Sequence, residues 1–280
     1  MANVIFFHAH PDDEAIATGG TMAALSDRGH RVVLVTATGG ELGEVPEGLL
    51  ADGETLVDRR RAELEEACRI LGVDHQVDLG FLDSGMAGED SNRRSGSFAA
   101  ADLDEAAGLL AARLRQERAD VLVIYDEHGV YGHPDHVKVH DVGRRAAELA
   151  DTPVLYLATL DRDRLVALQA ESDFGPPEGS GPELATMGEP GWRITTEIDV
   201  RPWIARKHEA MAAHRSQIPP DSFFLSMPDD VFTEVWGTES YIRVWPPIGD
   251  SGSGRRETDF VVERESPASA TALTAPEDRP

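Results

Sequence analysis

Two four-residue stretches carry the chemistry of this chain: His10-Pro11-Asp12-Asp13 and His133-Pro134-Asp135-His136. Each sets a metal-competent residue at its first and fourth positions, with proline between. Pooled, they offer His10, Asp13 and His136 as ligands, with the carboxylates of Asp12 and Asp135 alongside. Two imidazoles and one carboxylate that leave a coordination position open form a common catalytic zinc centre. Such a centre lowers the pKa of its water toward ~7, which is the chemistry of a metal hydrolase. A hydrolase also needs a base close to that water. Asp12 and Asp13 are adjacent and point in different directions, so the pair can divide the work, one on the metal and one on the nucleophile. His133 precedes His136 by three residues and can face the same cavity, where a protonated imidazole would stabilise an oxyanion and protonate a departing amine. Asp135 either holds one of the imidazoles from behind or places a charge at a helix N-terminus. The remaining histidines are weaker candidates: His140 reads as a neighbour of the site rather than a ligand, and His8 as a buried neighbour of His10.

The elements that must bring the tetrads together alternate strand and helix. Val4–His8 is a strand running into the first tetrad, and one helix is expected from Pro11 to about Arg28. Arg31–Ala37, Gln76–Leu82, Val121–Tyr125 and Val154–Ala158 read as further strands. Thr55–Leu71, Leu103–Arg118 and Val137–Leu149 have helical spacing. Continuous apolar strands separated by helices imply an α/β fold, a Rossmann-like three-layer sandwich whose mostly parallel sheet is covered on both faces. Right-handed crossovers give the order 3-2-1-4-5. Strands 1 and 4 are then neighbours at the topological switch point, and both tetrads follow their carboxyl ends. That arrangement turns two distant motifs into one site. Later in the chain, Arg193–Val200 and Tyr241–Trp245 read as additional strands and Pro202–Ser216 as a helix.

Composition narrows the function. With 26 basic and 51 acidic residues the chain carries a formal charge of -25, which argues against nucleic acid and against an anionic membrane surface as partners. The single cysteine, Cys68, falls on an apolar helical stripe and reads as a buried structural thiol in a reducing, cytoplasmic setting. There is no P-loop, and the TGGELGE segment lacks a full dinucleotide fingerprint. Residues 1–248 read as a single catalytic domain. Within it, the Gly/Pro-rich stretch 172–192 reads as a lid or a surface loop, and 249–280 as a disordered tail.

The chain resembles the PIG-L/LmbE-like zinc deacetylase family, which includes GlcNAc-phosphatidylinositol de-N-acetylases, the mycothiol-pathway deacetylase and the mycothiol S-conjugate amidase. The resemblance lies in HAHPDDE (His8–Glu14), TGGELGEV (Thr38–Val45), R-x-x-E-L (Arg60–Leu64), LDSGM (Leu82–Met86), YGHPDHVKVH (Tyr131–His140) and AHRSQI (Ala213–Ile218). It implies one zinc per chain on His10, Asp13 and His136, with iron(II) as a possible substitute. It further implies Asp12 as general base, His133 as electrostatic or acid partner, and Glu44, Arg60, Asp83 and Tyr131 near the sugar or the reacting carbonyl. The expected reaction is hydrolysis of the amide of a small N-acyl amino-sugar conjugate, either an N-acetylglucosaminyl-inositol or a mycothiol-type thiol conjugate, by a protein that could be a homo-oligomer. Two rivals remain open at this level: a non-haem iron enzyme on the same ligands, and a non-catalytic sugar- or metal-binding module.

Overall fold

The computed structural model describes residues 1–171, 183–246 and 256–260. In chain order the elements are β1 (Asn3–His8), α1 (Asp13–Ala17), α2 (Gly19–Asp27), β2 (Arg31–Thr38), α3 (Leu56–Leu71), β3 (His75–Phe81), α4 (Leu103–Glu117) and β4 (Val121–Tyr125). There follow the single turn α5 (Gly129–Gly132), α6 (Pro134–Ala150), β5 (Val154–Thr159), α7 (Arg162–Glu171), β6 (Thr196–Asp199), α8 (Ile204–Ala213), α9 (Asp229–Trp236) and β7 (Thr238–Trp245). The sheet runs β3-β2-β1-β4-β5-β7-β6, so the five expected strands stand in the expected order. They are parallel, and β7 and β6 extend that edge antiparallel.

β1 is the central strand because both of its faces are apolar. Val4 and Phe6 join one hydrophobic cluster and Ile5 and Phe7 the other, the period-two alternation of a pleated strand. Its pairing is in step with both neighbours, with Val4 opposite Val32 on β2 and Val121 on β4. α2, α3 and α8 pack together on one face, and α4 and α6 on the other. α6 sits close over β4: a Cβ built on Gly143 would lie 2.4 Å from Cγ2 of Ile124.

Several expectations need correction. The helix expected from Pro11 is two helices, and it starts at Asp13, not at Pro11. Thr18 breaks it at φ -138, ψ 7, with its hydroxyl 2.9 Å from Nε2 of His8. The start of α2 is satisfied instead by a buried carboxylate, Glu239, which accepts from the amides of Gly20 and Thr21 at 2.8 and 2.9 Å and pairs with Lys207 at 2.6 Å. The helix expected at Pro202–Ser216 is α8, which is shorter and begins at Ile204. Helices α7 and α9 were not expected. Part of the stretch expected to be disordered is built into the fold: Phe260 is buried and stacks on Tyr156 at 4.3 Å, and Arg256 pairs with Asp161 at 3.1 Å. The Phe260 ring is joined by polar contacts: Glu257 exchanges backbone hydrogen bonds with Thr195 and Glu197 and pairs with Arg243 at 3.1 Å. The lid or loop reading of 172–192 falls partly on 172–182, outside the described residues; Leu184–Thr186 forms a 3-10 turn and Glu189 is buried. Among the described residues, no helix is long and apolar enough to cross a membrane.

The close approach of α6 to β4 yields a test. Gly143→Ala adds a methyl where Ile124 leaves no room, and overpacking of this kind costs roughly 1–3 kcal/mol. Chemical denaturation should show that loss. A variant as stable as the parent would mean that the helix does not pack against the strand as described.

Candidate active site

The parallel pairing of β1 with β4 delivers both tetrads to one edge of the sheet. The first follows β1 directly. The second follows β4 after a short loop pinned by buried Asp126, whose carboxylate accepts from the amides of His128 and Val130 at 3.0 and 2.9 Å and from the hydroxyl of Thr159. α6 then starts on Pro134, with His133 as its N-cap: Nδ1 of His133 accepts from the amide of Asp135 at 3.2 Å.

The three expected ligands meet. Asp13 bridges the imidazoles, with Oδ1 3.3 Å from Nε2 of His136 and Oδ2 3.5 Å from Nδ1 of His10. The orientation of His10 is fixed from its other nitrogen, which lies 3.2 Å from Asp135 and 3.6 Å from Asp83. Asp135 is held in turn by the amide of Ser84 at 2.9 Å and by the Ser84 hydroxyl. Asp135 thus does both jobs considered for it, backing an imidazole while sitting in the first turn of α6. His136 stacks on Tyr125 with ring centres 4.6 Å apart, and both of its ring nitrogens are buried without a hydrogen-bond partner. Of the two, Nε2 faces the Asp13 carboxylate, and a buried imidazole nitrogen so placed is what a divalent metal would satisfy. The residues therefore fit the metal implied for them.

His10, His133 and His136 also present ring nitrogens within 4.8 Å of one another. The Nδ1 of His133 is already committed to the α6 N-terminus, which makes Asp13 the better third donor. A separate group, Glu127, His128 and Glu189, surrounds the Arg193 guanidinium at 2.6 Å from Glu127 and 2.9 Å from Glu189, so a cation is already in place there.

The electrostatics separate the carboxylates. Burial would raise the Asp13 carboxyl, but the adjacent His136 and His10 hold it well below the usual range. For Asp83, burial is likewise outweighed by the His10 hydrogen bond and charge, and its carboxyl is also held low. His10 shows the reverse: burial disfavours its charge, and the carboxylates of Asp13, Asp135 and Asp83 raise its pKa well above the ordinary value. Asp12 is different. Burial pushes its carboxyl up to about 6, against the opposing pull of Arg60. Its side chain caps no helix and lies 3.3 Å from Arg60. A cavity carboxylate that is not tied to an imidazole and whose pKa is raised has the attributes of a general base.

His133 departs from expectation. Burial, followed by the charges of His10 and His136, lowers it to about 4, so the ring is neutral near neutral pH and not protonated as expected. A metal cation beside it would depress it further. With Nδ1 accepting from the backbone, the neutral ring carries its proton on Nε2 and acts as a hydrogen-bond donor.

A cavity of about 500 Å³ collects the site. It is lined by His10, Asp12, Asp13, His133 and His136, and also by Glu44, Arg60, Asp83 and Tyr131, the four residues expected near the substrate. Of these, Arg60 is not a free fork. It is buried and donates to the carbonyls of Gly40 and Pro11 besides pairing with Asp12, so it holds the peptide that carries Asp12. The C-terminal half adds Met187, Gln217, Phe224 and Trp236 to the lining, which sequence reasoning missed. Gln217 had a signal, the AHRSQI stretch. Phe224 lies in a segment without periodicity, and Trp236 ends the short amphipathic helix α9, whose i, i+4 apolar spacing the sequence reading passed over.

Residues 5–147, half of the chain, match the PIG-L family, described as GlcNAc-PI de-N-acetylase. The chain belongs to this family. It is 38% identical over 280 residues to the 1D-myo-inositol 2-acetamido-2-deoxy-alpha-D-glucopyranoside deacetylase of Thermomonospora curvata, covering 91% of this chain and 94% of that one. It is 40% identical over 284 residues to the deacetylase of the same name from Streptomyces avermitilis, covering 92% and 95%. In three dimensions it resembles N,N'-diacetylchitobiose deacetylase from Pyrococcus horikoshii, with a TM-score of 0.57 at 20% identity over 86% of this chain and 83% of that one, a likeness of fold. Family membership and these relatives make the chain a hydrolytic N-deacetylase.

Two outcomes follow from the geometry. His136→Ala should abolish stoichiometric metal binding in carefully loaded protein; unchanged stoichiometry and affinity would remove His136 from the ligand set. Arg60→Ala should lower stability by roughly 1.5–3 kcal/mol, because charged hydrogen bonds to buried carbonyls are lost. It should also reduce kcat along with any change in KM. An effect on KM alone, with stability intact, would instead mark Arg60 as a simple substrate contact.

Proposed function

We propose that this chain hydrolyses the acetamide of 1D-myo-inositol 2-acetamido-2-deoxy-alpha-D-glucopyranoside, releasing acetate and the free amine. The names of its relatives support this substrate over a thiol conjugate, because the two relatives at 38% and 40% identity are both named for that deacetylation. The observation that supports the mechanism is the contrast between two adjacent carboxylates in one cavity, Asp13 tied to two imidazoles and Asp12 set against Arg60 with no imidazole partner and a raised pKa.

His10, Asp13 and His136 would hold one divalent ion, with zinc the first choice for this donor set and iron(II) a possible substitute. When bound, such an ion polarises the amide carbonyl and acidifies a water. Asp12 accepts the proton of the attacking water and returns it to the amide nitrogen, which leaves as an amine. Neutral His133 donates its Nε2 proton as a hydrogen bond to the carbonyl oxygen as charge grows there. Asp135 and Asp83 keep His10 in its tautomer. Asp83, Glu44 and Tyr131 line the cavity where sugar hydroxyls would be taken, and Arg60 keeps Pro11 and Asp12 in place.

Asp12→Asn keeps the shape and removes the basicity. It should retain metal and substrate binding while kcat falls ~10²–10⁴-fold, the scale of general-base catalysis. Release of free amine from the N-acetylglucosaminyl-inositol and from a mycothiol-type conjugate, measured side by side with metal content, tests both parts. Faster turnover of the thiol conjugate would transfer the chain to the amidase branch. Full activity of Asp12→Asn would rule out Asp12 as the base.

A further inference from the structure

The stretch Ala213–Ile218 (AHRSQI) lies outside the two tetrads. It leaves the end of α8 and meets the site from behind, and three of its side chains each grip a different segment that carries a cavity residue. His214 is 0% exposed, and its Nε2 lies 2.7 Å from Oε1 of Glu14. The amide and hydroxyl of Ser216 donate to Glu63, at 3.0 and 2.6 Å, on the helix that carries Arg60. Gln217 donates from Nε2 to the carbonyl of Glu44 at 2.9 Å.

The first of these grips reaches the reacting group. The other carboxylate oxygen of Glu14 accepts from the amide of Asp12 at 2.9 Å. Asp12 has φ 111 and ψ -32, a region that residues with a side chain rarely occupy. A residue persists there only where its surroundings over-determine it. The Asp12 side chain makes no cap bond; Arg60 holds its carboxylate and the Pro11 carbonyl, and the rest of the hold is on its backbone, the amide by Glu14 and the carbonyl by the amides of Ala15 and Ile16. Glu14 is itself 0% exposed, and its partners are His214 and that amide.

We propose that His214 is a positioning residue that acts through Glu14: the buried pair fixes the Asp12 peptide in its unusual conformation and so keeps the Asp12 carboxylate aimed into the cavity. This inference rests on Asp12 being the base. A pair that only stabilised the fold would affect the enzyme equally whether or not residue 12 can accept a proton. A pair that acts on Asp12 would matter only while the base is present.

A double-mutant cycle on full-length, metal-loaded protein separates these cases. His214→Phe puts a phenyl ring in place of the imidazole and removes both ring nitrogens, but leaves the buried Glu14 charge without its cationic partner. The combination Glu14→Leu with His214→Phe removes both partners at similar volume and avoids a lone buried charge. The combined variant should keep its metal stoichiometry and a KM within about twofold while kcat falls about 10- to 100-fold. Glu14→Gln, which retains an acceptor for the Asp12 amide, should recover most of that loss. In an Asp12→Asn background the same pair replacement should change kcat by less than about twofold. Wild-type kcat in the pair variant overturns the inference. So does a loss of the same size in the Asp12→Asn background, which would make the pair merely structural. Full activity of Asp12→Asn alone is a different failure, that of the base assignment beneath it.

Discussion

The site depends on one constraint, the parallel pairing of β1 with β4. Val4 stands opposite Val121, so both strands end at one edge, and each runs into a histidine-containing tetrad. A shift in that register would carry His136 away from Asp13, and the 3.3 Å contact between them would be lost. The packing around these two strands is apolar. Phe6 and Phe7 are fully buried on opposite faces of β1, and Gly143 lets α6 lie close on Ile124 of β4. Helix α6 then presents His136 from its first turn. Burial of hydrocarbon thus sets the spacing of three polar side chains.

Around that frame the electrostatics assign roles. Asp13, Asp83 and Asp135 converge on His10, and imidazoles in turn hold the Asp13 and Asp83 carboxyls down. Burying several carboxylates together is unfavourable unless cations accompany them. Two imidazoles are present, and a divalent ion would complete the compensation. Asp12 sits one residue from this cluster yet has a carboxyl raised to about 6. Its backbone adopts φ 111 and ψ -32, unlike the helical backbone that begins at Asp13. Arg60 and Glu14 hold the Pro11–Asp12 peptide from its two sides, the first through its carbonyl and the second through its amide.

The central architecture was legible in the sequence because β1, β2, β4 and β5 are short continuous apolar runs, and the handedness of their connections leaves few possible orders. The tetrads were legible because two similar spacings stood at adjacent strand ends. What escaped was decided by contacts that spacing does not encode. The break at Thr18 depends on His8 and on a carboxylate from residue 239. Arg60 reads as a sugar-binding fork until its two backbone carbonyls are seen. His133 reads as an acid until the depth of its burial is known. Phe260 is one aromatic residue in a polar stretch, and only the ring of Tyr156 reveals its place. The pairing of Glu14 with His214 spans 200 positions and has no sequence periodicity at all.

The account is tested most directly by anomalous diffraction from crystals of metal-loaded protein, collected at the metal absorption edge. It predicts one strong peak per chain, about 2.0–2.2 Å from a nitrogen of His10, a nitrogen of His136 and an oxygen of Asp13, with Asp12 outside the coordination sphere. A peak coordinated by Asp12 in place of Asp13, or one seated among Glu127, His128 and Glu189 instead, would contradict it.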